Sequence, residues 1–475
     1  MPKKIILAVV FLFSLSGFSI AQSLQTLAHQ PPDGAGIGFQ LTDGTLLYQG
    51  NAESDWWKLT PDINGSYVNG TWTRMANLPA GYVPDAFASA VLADGRVVIT
   101  GGEYLNNNFT LTNLGAIYDP AKNTWTNLPP PPKWQYIGDS PSVVLPNGYF
   151  MVGDKLTKAM AALNPKTLTW TVGPGTGKSD FNAEEGWTLL PDGSVLTADV
   201  KNAPNSERFS LTTKTWTTAG STIVDLHSPS PFGCIPYGPN GSLCYYPPGE
   251  IGPAILRPDG TVFATGSSSN TGSGAGHTAI YNTKSGKWTA GPDFPNADNA
   301  GDNFAVLLPS GDVLVEGSFG SYLWDGTSFT QTLGTFGSLI MLPTGQVLVG
   351  GSEVYNPSGT YEAAWAPTIT SVPASVTRGS TYKISGEQFN GLSQAAAFGD
   401  EFQTATNYPL VRITNTSTGH VFYAKTHNHS TMAVATGSAT VSTNFDVPAS
   451  METGASTLEV VANGIPSSPV SITVN

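Results

Sequence analysis

One segment recurs seven times along the chain, and it restricts the fold more than any other feature. The copies read LTDGTLLYQG, LADGRVVITGG, LPNGYFMVGD, LPDGSVLTAD, RPDGTVFATG, LPSGDVLVEG and LPTGQVLVGG. Their turn glycines are Gly44, Gly95, Gly148, Gly193, Gly260, Gly311 and Gly345, most of them about 50 residues apart. In each copy a Gly-containing turn separates two short apolar runs, which is the pattern of a β-hairpin. The composition agrees: 53 Gly and 36 Pro in 475 residues, with only 12% of positions charged, suit short strands joined by many turns.

Downstream of each hairpin comes a third apolar segment, as in AIYDP, ALNP, RFSL, AIYN, YLWD and EVYNP. A fourth is usually centred on Trp, at Trp72, Trp125, Trp170, Trp216 and Trp288, with Phe329 replacing it once. Four short strands repeated seven times at this period predict an all-β fold, a seven-bladed kelch-like β-propeller over residues 22–366. The seventh copy lacks a Trp strand, while the mature N-terminus SLQTLAHQPP resembles the end of a blade, so the first strand is expected to complete the last blade and remove an open edge. The repeat stops near Pro367. Residues 367–475 alternate in short strands without Trp or Cys, and predict a separate Ig-like β-sandwich.

The chain begins MPKKIILAVVFLFSLSGFSIAQ, with Lys3 and Lys4 ahead of an apolar stretch and a small-x-small site at Ser19-Ile20-Ala21. This reads as a signal peptide over 1–21 and predicts a secreted or periplasmic protein without a membrane span. Removing Lys3 and Lys4 takes the net charge from −13 to −15, which argues against nucleic acid as a partner. Cys234 and Cys244, ten apart in a Pro- and Gly-rich stretch, are expected to form a local disulfide in an oxidising compartment.

Registering the repeats on their turn glycines places Asp85, Asp139, Glu184, Glu250 and Asp302 nine or ten residues before the turn, where the first strand of each blade starts. The other two repeats carry Gly34-Ala35 and Thr335-Phe336 there. In a propeller the first strands line the central channel, so the five carboxylates are expected to converge at one mouth, with Asp154, Asp199 and Glu316 on the returning strands nearby. The long loop GEYLNNNFTLTNLG leaves from the same face, as does GSSSNTGSGAGH. Such a ring suits a carbohydrate or other polyhydroxyl ligand held by carboxylate acceptors. A bound Ca²⁺ is the other functional reading, because hard cations take several oxygens; a structural strand-capping role repeated with the blade is the bland reading and stands ahead of both. Trp56, Trp57 and Trp187 are near enough in sequence to stack on a sugar, although blade packing is the commoner role of such residues.

The LPDG-type turns, seven blades and APTI junction before a β-sandwich resemble galactose oxidase and glyoxal oxidase over almost the whole mature chain. The resemblance implies copper and a Tyr radical cross-linked to Cys, with a Tyr-His pair just before one inner strand. The pairs in that register here are Gly34-Ala35, Asp85-Ala86, Gly138-Asp139, Ala183-Glu184, Glu250-Ile251, Gly301-Asp302 and Thr335-Phe336, and none is Tyr-His. The family's second-domain His loop corresponds to FGDEFQTATNYPLVRI, which offers Glu401, Phe402 and Gln403 instead. His420, His427 and His429 form a His-rich stretch without a recognisable third ligand, and are expected to face solvent or lie in loops. VGPGTGKSD only superficially resembles a phosphate loop, since no helix follows it. The expectation is a non-catalytic binding protein for carbohydrate or another extracellular ligand, with no cofactor required, Ca²⁺ ahead of copper, and a displaced-ligand copper oxidase or an adhesive module as alternatives.

Overall fold

The computed structural model describes residues 22–267, 274–332, 334 and 337–475. The expected signal peptide over 1–21 and the Thr335-Phe336 pair therefore lie outside the described residues, as does part of the GSSSNTGSGAGH loop. The described chain is almost entirely β-strand and turn, with only three short 3₁₀ turns.

Seven antiparallel sheets form the propeller blades, in chain order. Each begins with a repeat hairpin: Gly38–Gln40 in blade 1, Ala88–Val91 in blade 2, Ser142–Val144 in blade 3, Thr188–Leu189 in blade 4, Ala254–Leu256 in blade 5, Ala305–Leu307 in blade 6 and Leu339–Met341 in blade 7. These innermost strands touch between blades 1 and 2, 2 and 3, 4 and 5, 5 and 6, 6 and 7, and 7 and 1. Blade 7 takes its outer strand from the N-terminus, Ser23–Thr26 pairing antiparallel with Glu353–Asn356.

The turns show why the repeat reads as it does. In each, the glycine N–H bonds the carbonyl three residues back, as Gly95 does to Leu92 and Gly193 to Leu190. The glycine then takes a left-handed φ, +83° at Gly95 and +80° at Gly193, which L-residues adopt only at a cost. Asp43 Oδ1 and Asp192 Oδ1 accept the N–H two residues on, so the D of each DG turn is a local clasp.

Alternation along the strands puts one side-chain row on each neighbouring blade, and the spaces between blades are filled by Trp, Tyr, Phe and branched aliphatics. Trp56 and Trp187 belong to this filling. Trp56 lies fully buried against Phe39 and Trp125, and Trp187 packs on Trp216, so neither is available as a sugar platform. Burying such rings stabilises by about 1.5–3 kcal/mol each.

Residues 368–475 form a second β unit with its own core, including Ile384, Val411, Phe445 and Leu458. It sits under the DG-turn face: the N–H groups of Thr426, His429 and Met432 bond the carbonyls of Thr42, Ala93 and Pro146. His429 lies in the loop after Val421–His427, one of the two positions expected for it, but it does not face solvent. It is buried, Nδ1 bonded to Thr443, and burial and then nearby His427 lower its pKa to about 3.

From this base the segment 389–409 runs into the propeller axis. Ala396–Ala397 pairs with the inner strand of blade 6, and Gln394 Oε1 accepts the Leu189 N–H of blade 4. Phe402 packs on Phe87, Phe304 and Phe398, and Gln403 N–H bonds Ser89 Oγ of blade 2. Tyr408 then donates to the Gln40 carbonyl of blade 1. The tip of this hairpin, at Asp400 and Glu401, stands level with the starts of the inner strands.

Candidate functional site

Four of the five in-register acids come together, and a lysine organises them. Lys155, in the loop after the second strand of blade 3, is wholly buried. Its Nζ bonds Asp139, lies 2.7 Å from Glu184 Oε1 and 3.5 Å from Glu103 Oε1. Tyr245 donates to Glu184 Oε1 at 2.9 Å, and Lys155 Nζ stands 5.3 Å from the centre of the Tyr245 ring. Glu250 and Asp302 interact with each other and with Glu184, while Asp400 and Glu401 arrive from the axial hairpin.

Asp302 is reached by solvent although protein surrounds most of it, which places it on the wall of a concave mouth. Glu103 and Glu250 are half-buried, and Asp139, Glu184, Asp400 and Glu401 lie beneath. Backbone strain accompanies the acids: Glu184 and Asp302 hold left-handed φ of +57° and +49°. Each such residue costs roughly 1–3 kcal/mol, and the surrounding structure must impose it.

Seven named carboxylates around one ammonium cannot all be ionised in the way isolated ones are. Burial, partly opposed by Lys155, pushes Asp139 well up; burial followed by the Glu250 charge does the same to Asp302, and burial followed by Glu401 to Asp400. Glu250 and Glu401 are each pushed up to about 8, again mainly by burial. Burial alone would lower Lys155, but Asp139 and Glu184 outweigh it and keep the ammonium charged.

Asp85 departs from the expected ring. It is exposed, its Oδ1 accepts its neighbour Ala86 N–H, and Pro84–Asp85 is fixed in a small ribbon with Tyr104–Leu105. The local ribbon determines its direction, so it makes no bond to Lys155. Asp154 is likewise consumed locally, by Leu156 N–H and Thr157 Oγ1.

Asp199 enters a second polar group instead, between blades 3 and 4. There Lys178, the lysine of the GTGKSD stretch, is paired with Glu185 and Glu207 at 2.9 and 2.7 Å and is buried, which leaves it no phosphate-binding role. Asp199 Oδ1 is buried without a donor, and burial raises its pKa to about 7. A native value above the unfolded value of about 3.9 means that this stability contribution is present below about pH 4 and lost as pH rises through about 7. Asp199→Asn cannot ionise. Chemical denaturation should therefore show its advantage over the parent growing by about 2–4 kcal/mol between pH 4 and pH 8. A gap independent of pH would refute the assignment.

Beside the cluster opens a cavity of ≈ 480 Å³, walled by Phe181, Tyr237, Tyr245, Tyr246 and Pro247, with Lys201 and His227 at its sides. Tyr246 is 68% exposed. Tyr245 links the two features, its ring facing the cavity and its hydroxyl bonded to Glu184. Cys234 and Cys244 are joined as a disulfide, which anchors the Tyr245-Tyr246 segment through the ribbon Ile235–Tyr237 and Leu243–Tyr245.

Lys155, Glu103, Tyr245 and Asp400 were missed in the sequence because their partners are remote in the chain. Lys155 carried the only usable hint, a lysine placed directly after Asp154 at the end of an apolar strand.

No histidine among the described residues bonds to these carboxylates, and both cysteine sulfurs are paired.

No family model matches the chain. It is similar to the Kelch-like protein terF of Aspergillus terreus, 29% identical over 127 residues, a stretch that spans 26% of each protein. The chain thus aligns with about a quarter of that curated relative. Among solved structures, a fungal alcohol oxidase of the AA5 family in complex with copper matches with a TM-score of 0.50 and 14% identity, covering 95% of this chain and 98% of that one. Virginiamycin B lyase from Staphylococcus aureus matches at 13% identity with a TM-score of 0.44, covering 70% of this chain and 98% of that one. Taken with the seven sheets and the repeated turns, the likenesses to the Kelch-like protein and to the AA5 oxidase structure give the chain the kelch-type, galactose-oxidase-like β-propeller fold.

Proposed function

We propose that this is an exported, non-catalytic binding protein that takes a carbohydrate at the acidic mouth and the aromatic cavity beside it. The observation that carries this reading is Tyr245, whose ring walls the cavity and whose hydroxyl is held by Glu184. Sugars present an apolar face to rings and hydroxyls to carboxylates, and here both recognition elements meet in one place. Asp302 adds a solvent-reached carboxylate, and Tyr246 an exposed ring. The second β unit, read as Ig-like, serves as the base that carries the axial hairpin.

The likeness to an alcohol oxidase suggests copper chemistry as the competing reading. The donors argue against it: the cluster consists of carboxylates, one ammonium and one phenol, without the imidazole or thiolate that copper favours.

The test is a glycan screen followed by titration of the best ligand. Asp302→Asn should weaken binding up to about 10-fold, the value of an ordinary hydrogen bond, since burial and the Glu250 charge disfavour its ionised form, and Tyr246→Ala about 10-fold. Both variants should melt within a few degrees of the parent, because Tyr246 is exposed and Asp302, though protein surrounds most of it, is reached by solvent and replaced by an amide of the same shape. Unchanged affinity in both would sink the proposal, as would stoichiometric copper binding with peroxide release.

A further inference from the structure

We propose that Asp139, Glu184 and Asp400 hold a hard divalent cation, Ca²⁺, which clamps the axial hairpin of the second unit to blades 3 and 4. The three residues come from separate parts of the chain: the start of the blade 3 inner strand, the start of the blade 4 inner strand, and the hairpin tip. One carboxylate oxygen of each lies within 4.8 Å of the other two, and all three residues are buried. Oxygens on opposite sides of a Ca²⁺ ion stand about this far apart, since its bonds are about 2.3–2.6 Å.

An acidic cluster alone would not make a site. Here, however, Asp139 Oδ1 and Asp400 Oδ2 are buried and meet no hydrogen-bond donor. Buried acceptors are almost always satisfied, so two such oxygens in one convergent group call for a positive occupant. Lys155 does not fill that need. Its Nζ bonds the other oxygen of Asp139, and Glu184 Oε1, which it shares with Tyr245. Asp400 and neighbouring Glu401 make no ion pair with Lys, Arg or His among the described residues.

The donors choose the ion. All three are carboxylate oxygens, which favours a hard cation over copper or zinc. They are also irregularly placed, on two loops and a hairpin, which Ca²⁺ tolerates better than Mg²⁺ with its demand for near-ideal octahedral geometry. The consequence is mechanical: the ion would tie a segment of the second unit to two blades.

The experiment uses the full mature chain, stripped with a chelator and dialysed, then titrated with Ca²⁺, Mg²⁺ and Cu²⁺ in parallel. The expected result is one Ca²⁺ bound per chain and a rise of several degrees in the melting midpoint at saturating Ca²⁺. Asp400→Asn should weaken Ca²⁺ binding at least 100-fold and abolish the rise, while the stripped variant melts no lower than the stripped parent. Should that variant not fold, Tb³⁺ luminescence from the parent gives a second readout. Tb³⁺ emission sensitised by the nearby aromatics, and displaced by Ca²⁺, is the supporting outcome. No bound Ca²⁺, a response only to Mg²⁺ or Cu²⁺, or Ca²⁺ binding untouched by Asp400→Asn would each overturn the assignment.

Discussion

Lys155→Met is expected to lose about 3–5 kcal/mol of stability at pH 7.5, measured by denaturant unfolding against the parent. The magnitude follows from what the substitution leaves behind. Asp139 and Glu184 are buried, they share the Lys155 ammonium, and Glu103 lies 3.5 Å from it. Methionine fills much of the volume but supplies no charge, so in calcium-free buffer the buried carboxylates would face one another with no counter-ion. Had the lysine stood at the surface, the same change would cost at most about 1 kcal/mol. The double variant Lys155→Met with Asp139→Asn should recover part of the loss, since it removes one of the stranded charges, and the non-additivity measures the pairing directly. A loss below about 1 kcal/mol in the single variant would mean that Lys155 does not organise the cluster.

Gly249→Ala should be nearly as damaging, for a reason that has nothing to do with charge. Gly249 holds φ +121°, and a Cβ there would sit 1.6 Å from the Ser228 carbonyl oxygen. Both atoms involved are fixed, because Pro229 and Gly249 pair across a two-residue ribbon in which Ser228 faces Glu250. Relief requires the ribbon to open, and that would carry Glu250 away from Asp302. Backbone strain of roughly 1–3 kcal/mol and overpacking of a similar size together give an expected loss of about 4 kcal/mol. The check is the melting midpoint together with carbohydrate affinity, both of which should fall. A variant as stable as the parent would show that the ribbon is not needed to seat Glu250.

The two halves of the site differ in how far the amino-acid sequence reveals them. The turn glycines and the acids nine or ten residues before them are visible because strand period and turn chemistry are local. Asp139, Glu184, Glu250 and Asp302 could therefore be placed at one end of the channel without any structure. Asp85 has the same register, yet the ribbon made by Tyr104–Leu105 redirects it, and that pairing depends on a loop with no period to read. Lys155 and Tyr245 were hidden for a different reason: one lies in a loop, the other beside a disulfide, and each acquires its role from residues in other blades. Glu401 could be placed only through the resemblance to the oxidases, as an acid where a histidine was looked for. Trp56 and Trp187, for which the sequence left a ligand platform open beside the commoner role of blade packing, are spacers between blades.

The first strand of the ring closes the last blade, with Thr26 bonded to Glu353 across 327 positions of chain. The axial hairpin then enters from still further along. Neither the circle nor its centre can therefore be finished in the order in which the polypeptide is synthesised. Ser23–Thr26 emerges first and must wait, unpaired, until Glu353–Asn356 exists, and the channel stays open until residues 389–409 follow. Pairings so distant in sequence bear a large loop-closure entropy and slow the search for the native state. During that interval Glu353–Asn356 of blade 7 and the inner strand of blade 6 present open edges, which makes the nascent chain, rather than the finished protein, the state most exposed to aggregation.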